Sequence, residues 1–173
     1  LLTIDQRIQV IVVDTSSRAE AHRLGALESL SAEVEILRLP DAEPGIARNS
    51  GLPAARGEWV SFIDDDDSID TVALQHAVTS GCLDTQADLL SFGFTLRTST
   101  EAFRNEECPV DPGDILLAKP LAFWRYIFRR EFLLTKGIQF PPGLVGEDIV
   151  FLYRAIAAQP SIYGCSICFY NYC

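Results

Sequence analysis

Two groups of acidic residues could carry chemistry in this chain. Four consecutive aspartates occupy positions 64–67 after a short apolar run, and Glu147-Asp148 follow a loop rich in glycine and proline. Carboxylate oxygens are ligands that Mg²⁺ and Mn²⁺ prefer, with substrate phosphates often completing the coordination. A carboxylate carried on a mobile loop can also act as a general base on a substrate hydroxyl. Together the two groups predict a metal-dependent enzyme that acts on a nucleotide diphosphate.

The apolar run before the aspartates must position them. Residues 59–63 are apolar and β-prone, which is typical of a fully buried parallel strand. Four like charges cannot continue into a buried sheet, because each carboxylate would be desolvated without a partner. Side chains alternate in an extended chain, so Asp64 and Asp66 should face one side, and Asp65 and Asp67 the other. We therefore expect the acids at the strand's carboxyl end, where open α/β sheets bind ligands.

The elements before this strand predict an α/β fold. Strands are expected over residues 8–13 and 34–39, with a helix over residues 18–30 between them and a kinked helix over residues 46–56. This alternation predicts a doubly wound, mostly parallel central sheet with helices on both faces. Asp14 directly follows the first strand. Asp14 and Asp64 should therefore lie at the same edge of the sheet.

The second half of the chain predicts a small mixed or antiparallel region. Strands are expected over residues 88–96 and 161–173, with residues 102–110 as a hairpin partner of the former. We see no linker or repeat, so we expect one domain over residues 1–173. Its nucleotide-binding half would span about residues 1–70 and its acceptor-side half about residues 71–173.

Charge and composition exclude several classes of protein. The net charge of −10 argues against a nucleic-acid partner, because a phosphate backbone would be repelled. No apolar run reaches the roughly 18 residues of a membrane span, and we expect a cytoplasmic protein, with peripheral attachment to the inner membrane face left open. The five cysteines include a C-x-x-C pair, Cys165 and Cys168, without a second pair or a nearby histidine. We interpret the thiols as small buried hydrophobic groups in a reducing compartment.

Each acidic motif also has a purely structural interpretation. A run of aspartates alone fits a solvated acidic loop or an incidental Ca²⁺ site. Glu147 and Asp148 could have no role other than to compensate the dipole at the start of a helix. Arg48 could be a solvated side chain, or it could pair with an aspartate or a diphosphate.

The motifs as a set resemble family 2 glycosyltransferases of the GT-A fold. That family has an A-R-N-x-G helix before G-E-(Y/W)-hydrophobic-x-F-(L/I)-D-x-D-D, and this chain has ARNSG at 47–51 and GEWVSFIDDDD at 57–67. Its nucleotide-binding strand is similar to VIVVD at 10–14, and its G-E-D-x-x-F motif is similar to GEDIVF at 146–151. The matches follow the family's order over nearly the whole chain.

The resemblance implies a role for each matching residue. Asp66, with Asp64, would bind Mg²⁺ or Mn²⁺ bridging the diphosphate. Asp148 would deprotonate the acceptor hydroxyl, with Glu147 as its neighbour or substitute. The remaining contacts to a nucleotide-sugar donor would come from a set of polar residues near the first two strands and the acidic run: Asp14, Arg48, Asn49, Asp64 and Asp65.

The implied reaction is inverting transfer of a sugar from a nucleotide-diphosphate sugar, with a UDP-sugar favoured, to a carbohydrate or glycolipid acceptor. The most frequent role in the family is synthesis of bacterial surface polysaccharide. Two alternatives stay open: a nucleotidyltransferase of similar fold, and a non-catalytic module that binds a nucleotide or carbohydrate. The family's opening strand is absent, and the chain has no methionine. We therefore expect residues of the whole protein to be missing from this sequence.

Overall fold

The first two strands form a parallel pair. The computed structural model describes residues 8–17 and 34–173, so the predicted helix over residues 18–30 lies outside the described residues. β1 (Val10–Asp14) pairs in parallel with β2 (Val34–Arg38), and Asp14 lies opposite Arg38. Both strands are rich in valine, isoleucine and leucine, and β-branched side chains pack well on a pleated surface. The parallel arrangement predicted for these two strands is confirmed.

The strand before the aspartates differs from its prediction. β3 is only Trp59–Val60, and it pairs antiparallel with β7 (Tyr126–Arg129). Its residues are half-buried, and 51% of the Ile63 surface is exposed. A fully buried parallel strand over residues 59–63 was therefore the wrong prediction. An apolar run of five residues does not reveal the direction of its neighbour, and here a later strand pairs with it from the opposite direction.

The larger sheet is mixed. Its strands run in the order β3, β7, β5 (Leu89–Arg97), β8 (Ile162–Tyr172) and β4 (Ser68–Ile69), with β6 (Ala102–Asn105) beside β5. Among the strand pairs that the structure describes in this sheet, β5–β8 is parallel and the others are antiparallel. The prediction of a mostly parallel central sheet is confirmed only in part, because β1–β2 and β5–β8 are parallel whereas the other described pairs, such as the β5–β6 hairpin, are antiparallel. The mixed C-terminal region is confirmed.

The helices begin and end at recognisable signals. Asp70 caps α2 by accepting hydrogen bonds from the backbone N–H groups of Val72 and Ala73. Gly137 ends α4 in the left-handed conformation, with φ of 61°. None of the helices in the described part of the chain is long and apolar enough to cross a membrane. The helices are α1 (Pro44–Gly51), α2 (Thr71–Thr79), α3 (Pro112–Leu117), α4 (Arg130–Lys136) and α5 (Glu147–Ala157).

An aromatic cluster connects β3 to α5. The Phe62 ring meets those of Phe140 and Phe151 edge-on, with centroid distances of 5.2 and 5.6 Å. Phe140 and Phe151 stack at 3.9 Å, and Phe123 packs against Phe140 at 5.4 Å. Aromatic pairs in such geometries contribute beyond their buried area. The cluster therefore packs the segment that precedes the aspartates against the segment that precedes Glu147.

Candidate active site

The aspartate run forms a turn and does not continue the strand. The backbone N–H of Asp67 donates to the carbonyl of Asp64 at 3.2 Å, and β4 begins at the next residue. Asp65 and Asp66 occupy the two central positions and are exposed. The prediction that Asp64 and Asp66 face one side through strand alternation was therefore wrong, because alternation requires extended backbone. In the described parts of the chain, neither Asp65 nor Asp66 has a hydrogen-bond or ion-pair partner.

Tyr170 holds both ends of this turn. Its hydroxyl donates to Asp67 Oδ2 at 2.5 Å and accepts from the backbone N–H of Asp64 at 3.4 Å. Burial raises the pKa of Tyr170, and the hydrogen bond to Asp67 raises it further. The hydroxyl therefore stays protonated and keeps its donor role. Trp124 stacks on the buried Tyr170 ring at 4.7 Å, so β8 provides a rigid support for the turn.

Arg48 bridges the two acidic motifs. Its Nη2 lies 2.5 Å from Asp64 Oδ1, and its Nη1 lies 2.9 Å from Glu147 Oε1. The exposed fractions of the three side chains are 18% for Arg48, 27% for Asp64 and 17% for Glu147. The planar guanidinium suits this task, because its rigid fork can satisfy two carboxylates at once. Residues 99 positions apart in sequence are thereby joined in one ionic cluster.

The surroundings of this cluster are apolar on one side. The Arg48 guanidinium carbon lies 4.7 Å from the Phe123 ring centroid and 5.2 Å from that of Phe140. Burial raises the pKa of Asp64, and the hydrogen bond from Arg48 opposes that rise only in part. When both carboxylates are ionised, Arg48 balances only one of their charges. The cluster then carries net negative charge beside the exposed turn, which favours a cation there.

Asn49 holds the loop that precedes Glu147. Its Nδ2 donates to the Phe140 carbonyl at 2.8 Å, and its Oδ1 accepts from the Phe140 N–H at 2.9 Å. One helical position earlier, Arg48 binds Glu147 at the other end of the same loop. Both ends of the Asn49 amide are thus bonded to the backbone of Phe140, and its contact with a nucleotide sugar stays a prediction.

Asp148 is the free carboxylate of the second motif. α5 begins at Glu147, as predicted, behind Gly146, whose φ of 83° is a conformation that favours glycine. Glu147 is committed to Arg48. Asp148 is half-buried, and within residues 8–17 and 34–173 its carboxylate makes no hydrogen bond or ion pair. Of the two acids, Asp148 is therefore the one available to accept a proton.

Asp14 lies apart from the ionic cluster. It is buried, its Oδ1 accepts from the Ser16 hydroxyl at 2.5 Å and the Ser16 N–H at 3.0 Å, and its Oδ2 binds Arg38 at 3.1 Å. The hydrogen bonds from Ser16 lower the pKa of Asp14, so it stays ionised. α1, which carries Arg48, packs against the strand that ends at Asp14. Its Gly51 lies so close to that strand that an added methyl group would be 3.3 Å from Val13 Cγ2. Contact of Asp14 with a nucleobase stays a prediction.

Two open depressions lie elsewhere on the surface. They have volumes of about 360 and 330 Å³, and Arg129 and Glu131 line both. Arg129 pairs with Trp59 in the β3–β7 register, so the depressions lie beside the start of β3, whereas the aspartates follow its end. The Arg129 guanidinium is committed to Glu58 and to backbone carbonyls. We assign no chemistry to this surface.

Sequence reasoning missed two features of the site. It predicted Arg48 as a residue near the aspartates but did not identify it as the bridge to Glu147. It did not identify Tyr170, which lies 103 positions from Asp67. The signal for Arg48 was its place in an A-R-N motif. For Tyr170 the sequence offers only an aromatic residue in a strand, which does not indicate an acidic partner.

The sequence comparisons place this chain among known glycosyltransferases. Residues 2–86 match the model of Glycosyl transferase family 2. The succinoglycan biosynthesis protein ExoO of Rhizobium meliloti is 28% identical over 172 residues, covering 87% of this chain and 47% of that protein. An uncharacterized glycosyltransferase, EpsJ of Bacillus subtilis, is 27% identical over 69% of this chain and 37% of its own length. The chain thus spans less than half the length of these two curated relatives.

The structural comparisons give the same fold. Residues 1–349 of TarS of S. aureus, solved in complex with UDP-GlcNAc, have a TM-score of 0.76 at 24% identity, covering 94% of this chain and 48% of that one. GalNAc-T7, solved with UDP, GalNAc and Mn²⁺, has a TM-score of 0.63 at 14% identity, covering 95% of this chain and 37% of that one. The α/β fold with its curled sheet is that of GT-A glycosyltransferases. Residues 2–86 are thus similar to a glycosyltransferase family 2 domain, and the chain has the fold of GT-A glycosyltransferases.

Proposed function

We propose that this domain is an inverting glycosyltransferase that uses a UDP-sugar and a divalent cation. One observation carries the proposal: Arg48 joins Asp64 of the aspartate turn to Glu147 of the second acidic motif. A donor-binding turn and a catalytic base must act on the same pair of reacting atoms. Arg48 holds the turn and the start of the second acidic motif together, which supports a common site. Catalysis requires that side chains be held near the productive geometry.

The residues of the turn fit Mg²⁺ or Mn²⁺. Asp65 and Asp66 present exposed carboxylate oxygens, which are hard ligands of the kind these ions bind. No group of three or more His, Cys, Asp or Glu side chains among the described residues is arranged to hold a metal. The few carboxylates of the turn suit an ion that takes one or two protein carboxylates and completes its shell with substrate phosphates and water. We assign Asp66, with Asp64 beside it, as the residues that would hold the ion.

The protein's own side chains supply the remaining steps. A cation bound at the turn would stabilise the negative charge that develops on the departing diphosphate. Asp148 accepts the proton of the acceptor hydroxyl, whose oxygen then attacks the anomeric carbon from the face opposite the diphosphate. The configuration at that carbon is therefore inverted. Arg48 holds Glu147, and through it the start of α5, so that Asp148 stays near the turn.

The proposed donor and acceptor follow from the relatives. TarS was solved with UDP-GlcNAc and GalNAc-T7 with UDP, which favours a UDP-sugar here. The proposed contacts to the nucleotide-sugar donor are Asp14, Arg48, Asn49, Asp64 and Asp65. ExoO is named for succinoglycan biosynthesis, which favours a carbohydrate or glycolipid acceptor.

A nucleotide panel measured by thermal unfolding tests the donor site. UDP and UDP-sugars should raise the melting temperature by several degrees with Mn²⁺ present and much less with EDTA. A ligand at a hundred times its Kd stabilises the native state by about 2.7 kcal/mol. Asp66→Asn should remove the metal-dependent part of the shift. Asp84→Asn, which changes an exposed turn aspartate away from the site, should retain it.

Two outcomes would contradict the proposal. If no uridine nucleotide shifts the melting temperature with Mn²⁺ or Mg²⁺ present, the donor assignment is wrong. If nucleotides bind but the protein releases no UDP from any UDP-sugar, with or without an acceptor, the domain is a binding module and Asp148 is not a base.

A further inference from the structure

Two cysteine sulfurs, one after α2 and one in β8, lie unusually close together. Cys82 Sγ and Cys165 Sγ are 2.6 Å apart. Non-bonded heavy atoms prefer separations of about 3.5–4.0 Å, whereas a disulfide bond measures about 2.05 Å. The separation is therefore much nearer to a covalent bond than to an ordinary contact. The two sulfurs are therefore already close to bonding distance in the folded protein.

The environments of the two thiols differ in access. Cys165 lies in β8 and is buried, whereas Cys82 lies in the turn after α2 and is half-buried. Burial, with the hydrogen bond to Cys82, raises the pKa of Cys165 to about 12. A thiol held protonated in this way is a poor metal ligand and reacts slowly with external reagents, so a sulfur already next to it is the partner that it can reach. Covalent pairing with its neighbour is the chemistry that the geometry favours.

We propose that Cys82 and Cys165 are a site of oxidation that forms an intramolecular disulfide. With oxidised glutathione, the more accessible Cys82 thiolate attacks one glutathione sulfur and releases one glutathione thiolate. The Cys165 sulfur then loses its proton and attacks Cys82, releasing the second glutathione. The two protein thiols lose two electrons and two protons, and glutathione disulfide is reduced to two glutathione molecules.

The disulfide would fix the position of β8, the strand that holds the aspartate turn. It would join the turn after α2 to β8, and β8 carries Tyr170, which binds Asp67. α2 itself starts directly after Asp70, close behind the same turn. A cross-link closing residues 82–165 would also restrict the unfolded chain, and the effect grows with loop length. Oxidation should therefore stabilise the fold without touching the acids of the site.

Peptide mapping of the folded wild-type protein tests the proposal directly. After incubation with oxidised glutathione and alkylation of free thiols, digestion should yield one linked peptide pair that contains Cys82 and Cys165. The oxidised protein should melt several degrees above the reduced protein, and dithiothreitol should reverse both changes. Cys82→Ser should lose the linked peptide and the shift. Cys173→Ser, which changes an exposed thiol, should keep both.

Peptide mapping of the wild-type protein alone can also show that the disulfide does not form. Recovery of Cys82 and Cys165 as separately alkylated or glutathionylated peptides, from protein that unfolds cooperatively, would overturn the proposal. A linked peptide that contains Cys108 in place of Cys82 would overturn it as well. Neither outcome bears on sugar transfer, so the disulfide and the proposed enzyme activity can fail independently.

Discussion

Replacing Asp148 with asparagine should lower the rate of sugar transfer by about 10²- to 10⁴-fold, which is the usual contribution of a general base. Asparagine keeps the shape of the side chain but cannot accept the proton of the acceptor hydroxyl. The Asp148 carboxylate has no partner within the part of the chain that the structure describes, so the substitution should leave the fold intact. Metal-dependent stabilisation by UDP should be unchanged. Release of UDP from a UDP-sugar, with acceptor present, measures the rate.

A matched control separates the base from a helix-dipole effect. Glu131 is an exposed acid in the first turn of α4, as Asp148 is an acid in the first turn of α5. Glu131→Gln should therefore leave the transfer rate near that of the wild type. If Asp148→Asn also transfers sugar at the wild-type rate, the base has been assigned to the wrong residue.

Replacing Arg48 with lysine should weaken both the fold and the activity. An ammonium group cannot reach Asp64 and Glu147 with a planar fork, so one of two largely buried carboxylates loses its partner. Removing one partner of a fully buried pair costs about 3–5 kcal/mol, and here the retained charge and partial exposure reduce this to about 1–3 kcal/mol. Thermal unfolding measures that loss. Transfer should fall about 100-fold, because small displacements of a catalytic group have effects of that size.

A second arginine pair provides the comparison. Arg104 binds Glu106 at 3.0 Å with side chains 59% and 62% exposed. Exposed pairs contribute about 0–1 kcal/mol, so Arg104→Lys should change neither the melting temperature nor the rate of transfer. Equal behaviour of Arg48→Lys and Arg104→Lys would show that the bridge between the acidic motifs has no role in holding the site.

Local sequence patterns predicted much of the fold because local physics determines those features. The acidic pair at 147–148 predicted the start of α5, and the apolar runs gave β1 and β2. The resemblance to family 2 glycosyltransferases also implied that Asp64 and Glu147 belong to one site. Such local patterns could not predict the relative direction of paired strands, because the partner of β3 is β7, which follows it by some 65 residues. The antiparallel pairing therefore contradicted the predicted sheet.

The geometry of the site depended on contacts between distant residues. Asp67 bends out of strand geometry because Tyr170, on β8, holds both ends of the turn. Asn49 satisfies the backbone of Phe140, which lies 91 positions away. Neither partnership can be detected in the local sequence, so the assumption of an extended strand through residues 64–67 was wrong.

A crystal structure of the protein with UDP and Mn²⁺, with the ion located by its anomalous scattering, tests the central claim most directly. We predict one manganese ion that contacts the Asp66 carboxylate and the diphosphate oxygens, beside an intact bridge from Arg48 to Asp64 and Glu147. UDP bound away from the turn, or a manganese ion held by other residues while Asp66 faces solvent, would contradict the account.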